Sequence, residues 1–161
     1  MRTLQNKIDF VAIINVNNAN PNGDPLNGNR PREDYEGYGE ISDVCIKRKI
    51  RNRLIDMGKP IFVQSDDKRV DEFKSLNDRV KGCEALKGVK DSEEYARIAC
   101  EQWMDVRSFG QVFAFKKGAA SIGVSVGVRG SVSLHPALSA SPIAISSIQL
   151  TKSVSSETTK D

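Results

Sequence analysis

Between Asn17 and Arg32 the chain reads NNANPNGDPLNGNRPR, a run of Asn, Gly and Pro whose only carboxylate is Asp24. The spacing Asn18-x-Asn20-x-Asn22-Gly23 copies the start of a calcium-binding helix–loop–helix. The register then puts Asn29 where a bidentate Glu is required, and one carboxylate neutralises a divalent cation poorly. No metal site is expected there. Gly and Asn accept the backbone angles that aim successive N–H groups at an anion, so the run is a candidate phosphate cradle. The same residues also build plain turns. The loop alone leaves both readings open.

A second cluster is cationic. IKRKIRNR, Ile46 to Arg53, carries Lys47, Arg48, Lys49, Arg51 and Arg53. With Asp43 and Asp56 the only acids from Ile41 to Met57, that stretch has a balance of +3. Lys47, Arg48 and Arg51 follow the i, i+1, i+4 spacing that gathers side chains beside an apolar helix face. Long cations in that position lay their stems on the core edge and offer their heads to phosphates. A solvated basic face is the ordinary alternative. Few acids stand at pairing distance along the helix, Asp43 to Lys47 being one. Arg129, alone among Gly and Ser in VGVRGSVS, and Arg107 in DVRSFGQV are further candidate phosphate contacts. Gln111 stands four residues after Arg107, as a structural pair or another contact. Trp103 and Phe109 suit a core better than a base-stacking platform.

Catalytic materials are thin. His135 is the only histidine, and Asp24 has no acidic neighbour in sequence. Cys45, Cys83 and Cys100 form no CxxC pair, which argues against a disulfide framework or a zinc site and for a reducing compartment. No catalytic residue, metal or cofactor is expected. MRTLQNKID lacks the apolar core of a signal peptide. No apolar run approaches the roughly 18 residues of a membrane span. A soluble, cytoplasmic protein is expected. A net charge of +3 and a pI near 8.8 do not by themselves select a partner.

The elements that must position these residues follow from periodicity. IDFVAIINV, Ile8 to Val16, alternates with apolar residues on both faces and predicts a central strand. Ser42 as N-cap, with Gly58 and Pro60 as stop, predicts a helix whose inner face is Ile46, Ile50, Leu54 and Met57. Residues 65–90 are polar and evenly charged, and 59–90 are expected to form a peripheral insertion with at least one short helix. Asp91 and Glu94 begin a second helix over about 92–108, with Tyr95, Ile98, Ala99, Trp103 and Val106 inward. Ile122 to His135 alternates Val and Leu against Gly, Ser and Arg129, and predicts a strand. Another is expected within Pro142–Leu150, bulged at Ser146–Ser147. Residues 151–161 are polar and expected to be disordered. At 161 residues the chain is one domain or part of one. Its order of elements suits an α+β fold, with helices on one side of an antiparallel sheet.

In this order the segments NANPNGDPLNGNRPR, ISDVCIKRKIRN, WMDVRSFGQVF, VGVRGSVSLHP and IQLTKSV resemble the backbone subunit of type I-C CRISPR surveillance (Cascade) complexes, the Cas-seven family of the Csd type. The resemblance runs through nearly the whole chain and is weakest in residues 65–90 and the tail. It implies an α+β palm related to the RNA-recognition motif and ferredoxin-like folds, with inserted fingers and a thumb. It implies partners: the CRISPR guide RNA, further copies of the chain in a helical assembly, other Cascade subunits, and target DNA through the guide. Each copy would hold the guide backbone without reading its sequence, so that recognition belongs to base pairing. The matching positions put RNA contacts at Asn20, Asn22 and Gly23, at Lys47, Arg48 and Arg51, and at Arg107 and Arg129. Members of the family are usually much longer. Residues 1–161 would therefore be an N-terminal part of the palm, with 151–161 as the beginning of a thumb-like segment. Related subunits of type III complexes cut RNA with an Asp in the loop after the first strand. A metal-dependent endoribonuclease using Asp24 is thus the rival reading, and a protein-interaction module that binds no RNA is a third.

Overall fold

The computed structural model describes residues 4–114 and 125–154. They fall into two compact units, residues 41–137 and residues 1–40 with 138–161.

In the unit built from the chain ends, the Asn/Gly/Pro run folds as a small hairpin. Strands β1 (Gly23–Asp24) and β2 (Arg30–Pro31) pair antiparallel, Gly23 opposite Pro31 and Asp24 opposite Arg30. A single 3-10 turn, Pro25–Asn27, joins them, and the Asp24 carboxylate caps it by accepting from Leu26 N at 3.1 Å. Gly28 and Asn29 then take positive φ, 59° and 58°, and the Asn29 amide closes the hairpin on Asp24 O at 2.8 Å. The next turn is held by Asp34, whose Oδ1 accepts from the amides of Glu36 and Tyr38, both at 2.9 Å. It leads into β3 (Tyr38–Ile41), which pairs with β6 (Ala137–Pro142).

The second unit carries the core. Helix α1 (Asp43–Asp56) starts at Ser42, whose Oγ accepts from Cys45 N at 3.3 Å, and stops where Gly58 turns to φ 70°. Both signals were legible. Its inner face is shifted: Ile55 is the buried residue, Ile46, Ile50 and Leu54 are half-buried, and Met57 is exposed. Residues 59–90 hold the expected short helix, α2 (Leu76–Lys81), and also supply Phe62, Val80 and Leu86 to the core. Arg79 is buried among them. Its guanidinium binds both oxygens of Asp71 and donates to Phe62 O, each at 2.7 Å, which explains how a charge survives there.

The predicted second helix is two. α3 (Ser92–Gln102) is capped by Asp91 Oδ1 on Glu94 N at 2.8 Å. It ends at Trp103, whose backbone is extended, and α4 (Met104–Phe109) sets off anew. The break lets Met104 N donate to Pro60 O at 2.9 Å and turns Asp105 inward. Tyr95, Ala99, Trp103 and Val106 are buried as the periodicity predicted, and Phe62, Trp103, Phe113 and Tyr95 interlock as tilted or edge-on aromatic pairs. Strands β4 (Gln111–Phe113) and β5 (Val126–Val128) pair antiparallel over this cluster.

Three strand expectations change. Residues 8–16 form no ladder among the described residues, and their side chains are exposed. Alternation supplies strand propensity, but a strand persists only where a neighbour takes its N–H and C=O groups. Of Ile122–His135, only Val126–Val128 is paired, and residues 122–124 lie outside the described residues. The alternation itself survives: Val128, Val132 and Leu134 are half-buried while Arg129, Ser131, Ser133 and His135 are exposed. The last strand among the described residues is Ala137–Pro142, not one within Pro142–Leu150. Its place is set by β3, one hundred residues away, where Gly39 N donates to Ser139 Oγ at 3.0 Å. Most of the expected thumb-like tail lies outside the described residues. The mixture of helices with small antiparallel sheets is an α+β arrangement.

One core group makes the unit alkali-sensitive. The Tyr95 hydroxyl is buried without a hydrogen-bond partner among the described residues. Burial first, and the nearby Cys83 second, push its pKa up to about 12. The folded value lies above the unfolded one, about 10. The contribution is therefore complete below pH 10 and is lost as pH rises toward 12. A urea midpoint measured across this range should fall in the wild type and fall less in Tyr95→Phe. The variant should be at least as stable at neutral pH, since no hydrogen bond is lost.

Candidate nucleic-acid interface

Helix α1 holds Lys47, Arg48 and Arg51 on successive turns, but the three differ sharply in freedom. Lys47 Nζ reaches back one turn to Asp43 Oδ2 at 2.9 Å, and the pair is partly exposed. That ammonium is the first cause holding the Asp43 carboxyl below the usual range. Arg48 is the most open, 60% exposed, with Nη2 on Asp67 Oδ1 at 3.1 Å. Arg51 is only 14% exposed. Its Nε donates to Asp105 Oδ2 at 2.9 Å and its guanidinium lies 5.1 Å from the centroid of the Phe109 ring. Lys49 and Arg53 are exposed and make no ion pair among the described residues.

Asp105 is the residue the sequence reading missed. It is 0% exposed and accepts from Phe62 N at 2.7 Å and Val63 N at 3.0 Å as well as from Arg51. Arg51 is thus first a structural cation, neutralising a buried carboxylate that ties the 61–63 segment to α4. The partner stands 54 residues away in sequence. The one available signal was an acidic residue between two core positions, Trp103 and Val106, in a helix that had to be interrupted for it to turn inward.

Arg107 and Arg129 are exposed and make no ion pair among the described residues. The structure brings their backbones together. Beyond the β4–β5 pairing, Ser131 N donates to Arg107 O at 3.2 Å and Val132 N to Ser108 O at 2.8 Å. Two glycines make this approach feasible. Gly110 sits at φ 80°, and a Cβ there would stand 2.5 Å from Val128 O. A Cβ on Gly130 would overlap Ser108 O and Gly110 N. Arg107 also stands near Cys100 of α3: burial raises that thiol's pKa, and the Arg107 charge opposes the rise. Gln111 donates to Val112 O at 3.1 Å rather than serving Arg107. Lys47, Arg48, Arg51, Arg107 and Arg129 all belong to the 41–137 unit, so one unit carries every predicted cation contact.

The hairpin residues belong to the other unit. Asn20 Nδ2 donates to Asn29 O at 2.7 Å, and Asn22 Nδ2 to Gly23 O at 3.1 Å. Gly23 leaves room for the Asn29 side chain, which an added Cβ would overlap. The Asn and Gly of NPNGDP thus shape the turn itself, and the Asp24 carboxylate is engaged in capping it. Among the described residues no three His, Cys, Asp or Glu side chains gather as a metal centre would need, and no helix is long and apolar enough to cross a membrane.

Comparisons with known proteins agree on one family. A model of the family described as CRISPR-associated protein Cas7 matches residues 6–161. A CRISPR-associated protein Cas7 of Haloferax volcanii is 32% identical over 116 residues, which cover 71% of this chain and 34% of that protein. The chain spans about a third of this relative's length. With residues 6–161 matched, the chain belongs to the CRISPR-associated Cas7 family.

Proposed function

We propose that this chain is the RNA-holding part of a Cas7 backbone subunit, of the type I-C (Csd) kind, that binds CRISPR guide RNA along its backbone without reading sequence. Copies assemble side by side on one guide with other Cascade subunits, and the guide, not the protein, recognises target DNA. The palm is related to the RNA-recognition motif. The contacts are Lys47, Arg48, Arg107 and Arg129, with Arg51 supporting the helix and contributing its outer N–H groups. The hairpin residues Asn20, Asn22 and Gly23 offer backbone and amide donors to the guide.

The observation that carries this reading is the Arg107–Arg129 juxtaposition. Two exposed cations stand on segments locked by backbone hydrogen bonds, with no carboxylate on either among the described residues. The fold places two crowded glycines at that lock. Gly and Ser around Arg129 let a sugar–phosphate chain come close, and such contacts carry no base information.

The rival, RNA cleavage through Asp24, needs a carboxylate free to hold a metal. Asp24 Oδ1 already accepts from Leu26 N inside the turn, and no cluster of three metal-ligating side chains forms around it among the described residues. Incubation of labelled single-stranded RNA with the chain and Mg2+ separates the readings. Bound and intact RNA is expected, with Asp24→Asn behaving like wild type. Mg2+-dependent cleavage lost in Asp24→Asn would establish the nuclease. Absence of RNA binding at any salt would leave a protein-interaction module.

A further inference from the structure

Arg48 is the most exposed of the paired cations of α1, yet it is already occupied by a carboxylate from outside the helix. Asp67, itself 67% exposed, belongs to a one-turn 3-10 segment, Asp66–Lys68, flanked by Ser65 and Arg69. The segment is fastened to α1 at two points. Arg48 Nη2 of the helix donates to Asp67 Oδ1 at 3.1 Å. Lys68 Nζ of the segment donates to Asp56 Oδ1, at the end of the helix, at 3.0 Å. The two bonds run in opposite directions, so helix and segment exchange one cation and one anion each. Both are exposed, the class of ion pair that water and salt loosen most readily.

We propose that Asp67 is a built-in competitor for the phosphate that Arg48 takes: a carboxylate latch that RNA displaces, freeing the Ser65–Arg69 segment from α1 as it binds. The inference rests on the RNA-binding reading given above. The chemistry favours exchange. Asp67 engages Arg48 through a single N–H, whereas a phosphate can take two parallel N–H groups of a guanidinium. No covalent bond changes, and the charge on Arg48 is balanced before and after. The consequence is selectivity by charge density. An isolated anion gains little by replacing Asp67, while a polyanion that also reaches neighbouring cations gains enough to open the latch. The latch also lowers the apparent affinity, because part of the binding energy goes into displacing it.

The test compares two variants of equal charge change in the full chain. Asp67→Asn removes the latch. Asp66→Asn is the control: its side chain is almost fully exposed and stands 3.8 Å from Arg69, away from Arg48. Binding of a single-stranded RNA is measured over a salt series, with hydrogen exchange of the Lys68 amide, which is bonded to Ser65 O in the latched segment. Asp67→Asn is expected to bind about two- to fivefold more tightly at low salt, with a salt slope steeper by up to about 0.7, since Arg48 then releases a counterion in place of a carboxylate. Asp66→Asn should change affinity by less than half as much. The Lys68 amide should exchange faster in wild type with RNA than without, and faster in free Asp67→Asn. Equal tightening by both variants would mean a general charge effect and overturn the latch. So would wild-type RNA binding that neither variant alters. Failure of the wild type to bind RNA at any salt would instead overturn the RNA-binding reading, and the latch with it.

Discussion

Replacing Asp105 by Ala should remove a large share of the stability of the 41–137 unit. The carboxylate is fully buried and serves three donors at once: Phe62 N, Val63 N and Arg51 Nε. Its removal leaves two backbone N–H groups and a largely buried guanidinium without an acceptor. Breaking a buried ion pair from one side costs about 3–5 kcal/mol, because the surviving charge is uncompensated. The whole stability of a domain is only about 5–15 kcal/mol. Arg51→Ala should cost a similar amount for the mirror reason. Asp105→Asn should fall between, keeping one acceptor but losing the charge. Urea unfolding followed by Trp103 fluorescence reads this directly, since Trp103 is buried next to the pair in sequence. A loss below about 1 kcal/mol in Asp105→Ala, the range of ordinary surface substitutions, would show that the network contributes nothing. The result also governs how RNA binding is to be dissected: a variant at Arg51 changes the fold and the contact together, so Arg48 is the informative position on α1.

The second large effect concerns RNA itself. Lys47→Ala with Arg48→Ala should weaken binding by a similar factor for every RNA sequence. So should Arg107→Ala with Arg129→Ala. Each phosphate of a single strand that the protein no longer neutralises should lower the log–log salt slope by about 0.7. The two pairs need not behave alike. Arg107 and Arg129 carry no carboxylate among the described residues, so the full slope change is expected there. Lys47 and Arg48 already hold Asp43 and Asp67, so their removal should reduce the slope by less. Combining all four substitutions should give the sum, because the pairs do not share a partner. None of the four is buried, so the variants should unfold at the wild-type midpoint. A sequence-dependent loss would imply base contacts instead.

Why the basic helix could be read and its partners could not is a matter of range. Ser42 before α1, Gly58 after it, and Asp91 with Glu94 at α3 act within a few residues, so the sequence alone locates those helix ends. The same holds for the buried stripe Tyr95, Ala99, Trp103 and Val106. The strands depend on distant neighbours. β6 pairs where β3 requires, and residues 8–16 find no strand partner among the described residues despite their alternation. The site divides in the same way. The cations themselves and the exposed polar face around Arg129 were legible. The acids that answer the cations were not, because Asp67 and Asp105 lie 19 and 54 residues away. Neighbours at i+4 alone do not distinguish Arg48 from Arg51, and the fold separates them into an exposed cation and a structural one. Likewise Phe62, Val80 and Leu86 looked peripheral within a charged stretch, since isolated apolar residues show no period until the fold gathers them.

A chain that grips RNA by its backbone binds every sequence alike and loses affinity as salt rises. The most direct measurement is the affinity of the intact chain for two single-stranded RNAs of unrelated sequence and equal length, over a salt series from about 50 to 200 mM, the range in which phosphate contacts are strongly screened. Backbone binding should give equal affinities and two parallel lines falling steeply on a log–log plot. Binding to one RNA and not the other, or an affinity that salt leaves unchanged, would contradict it.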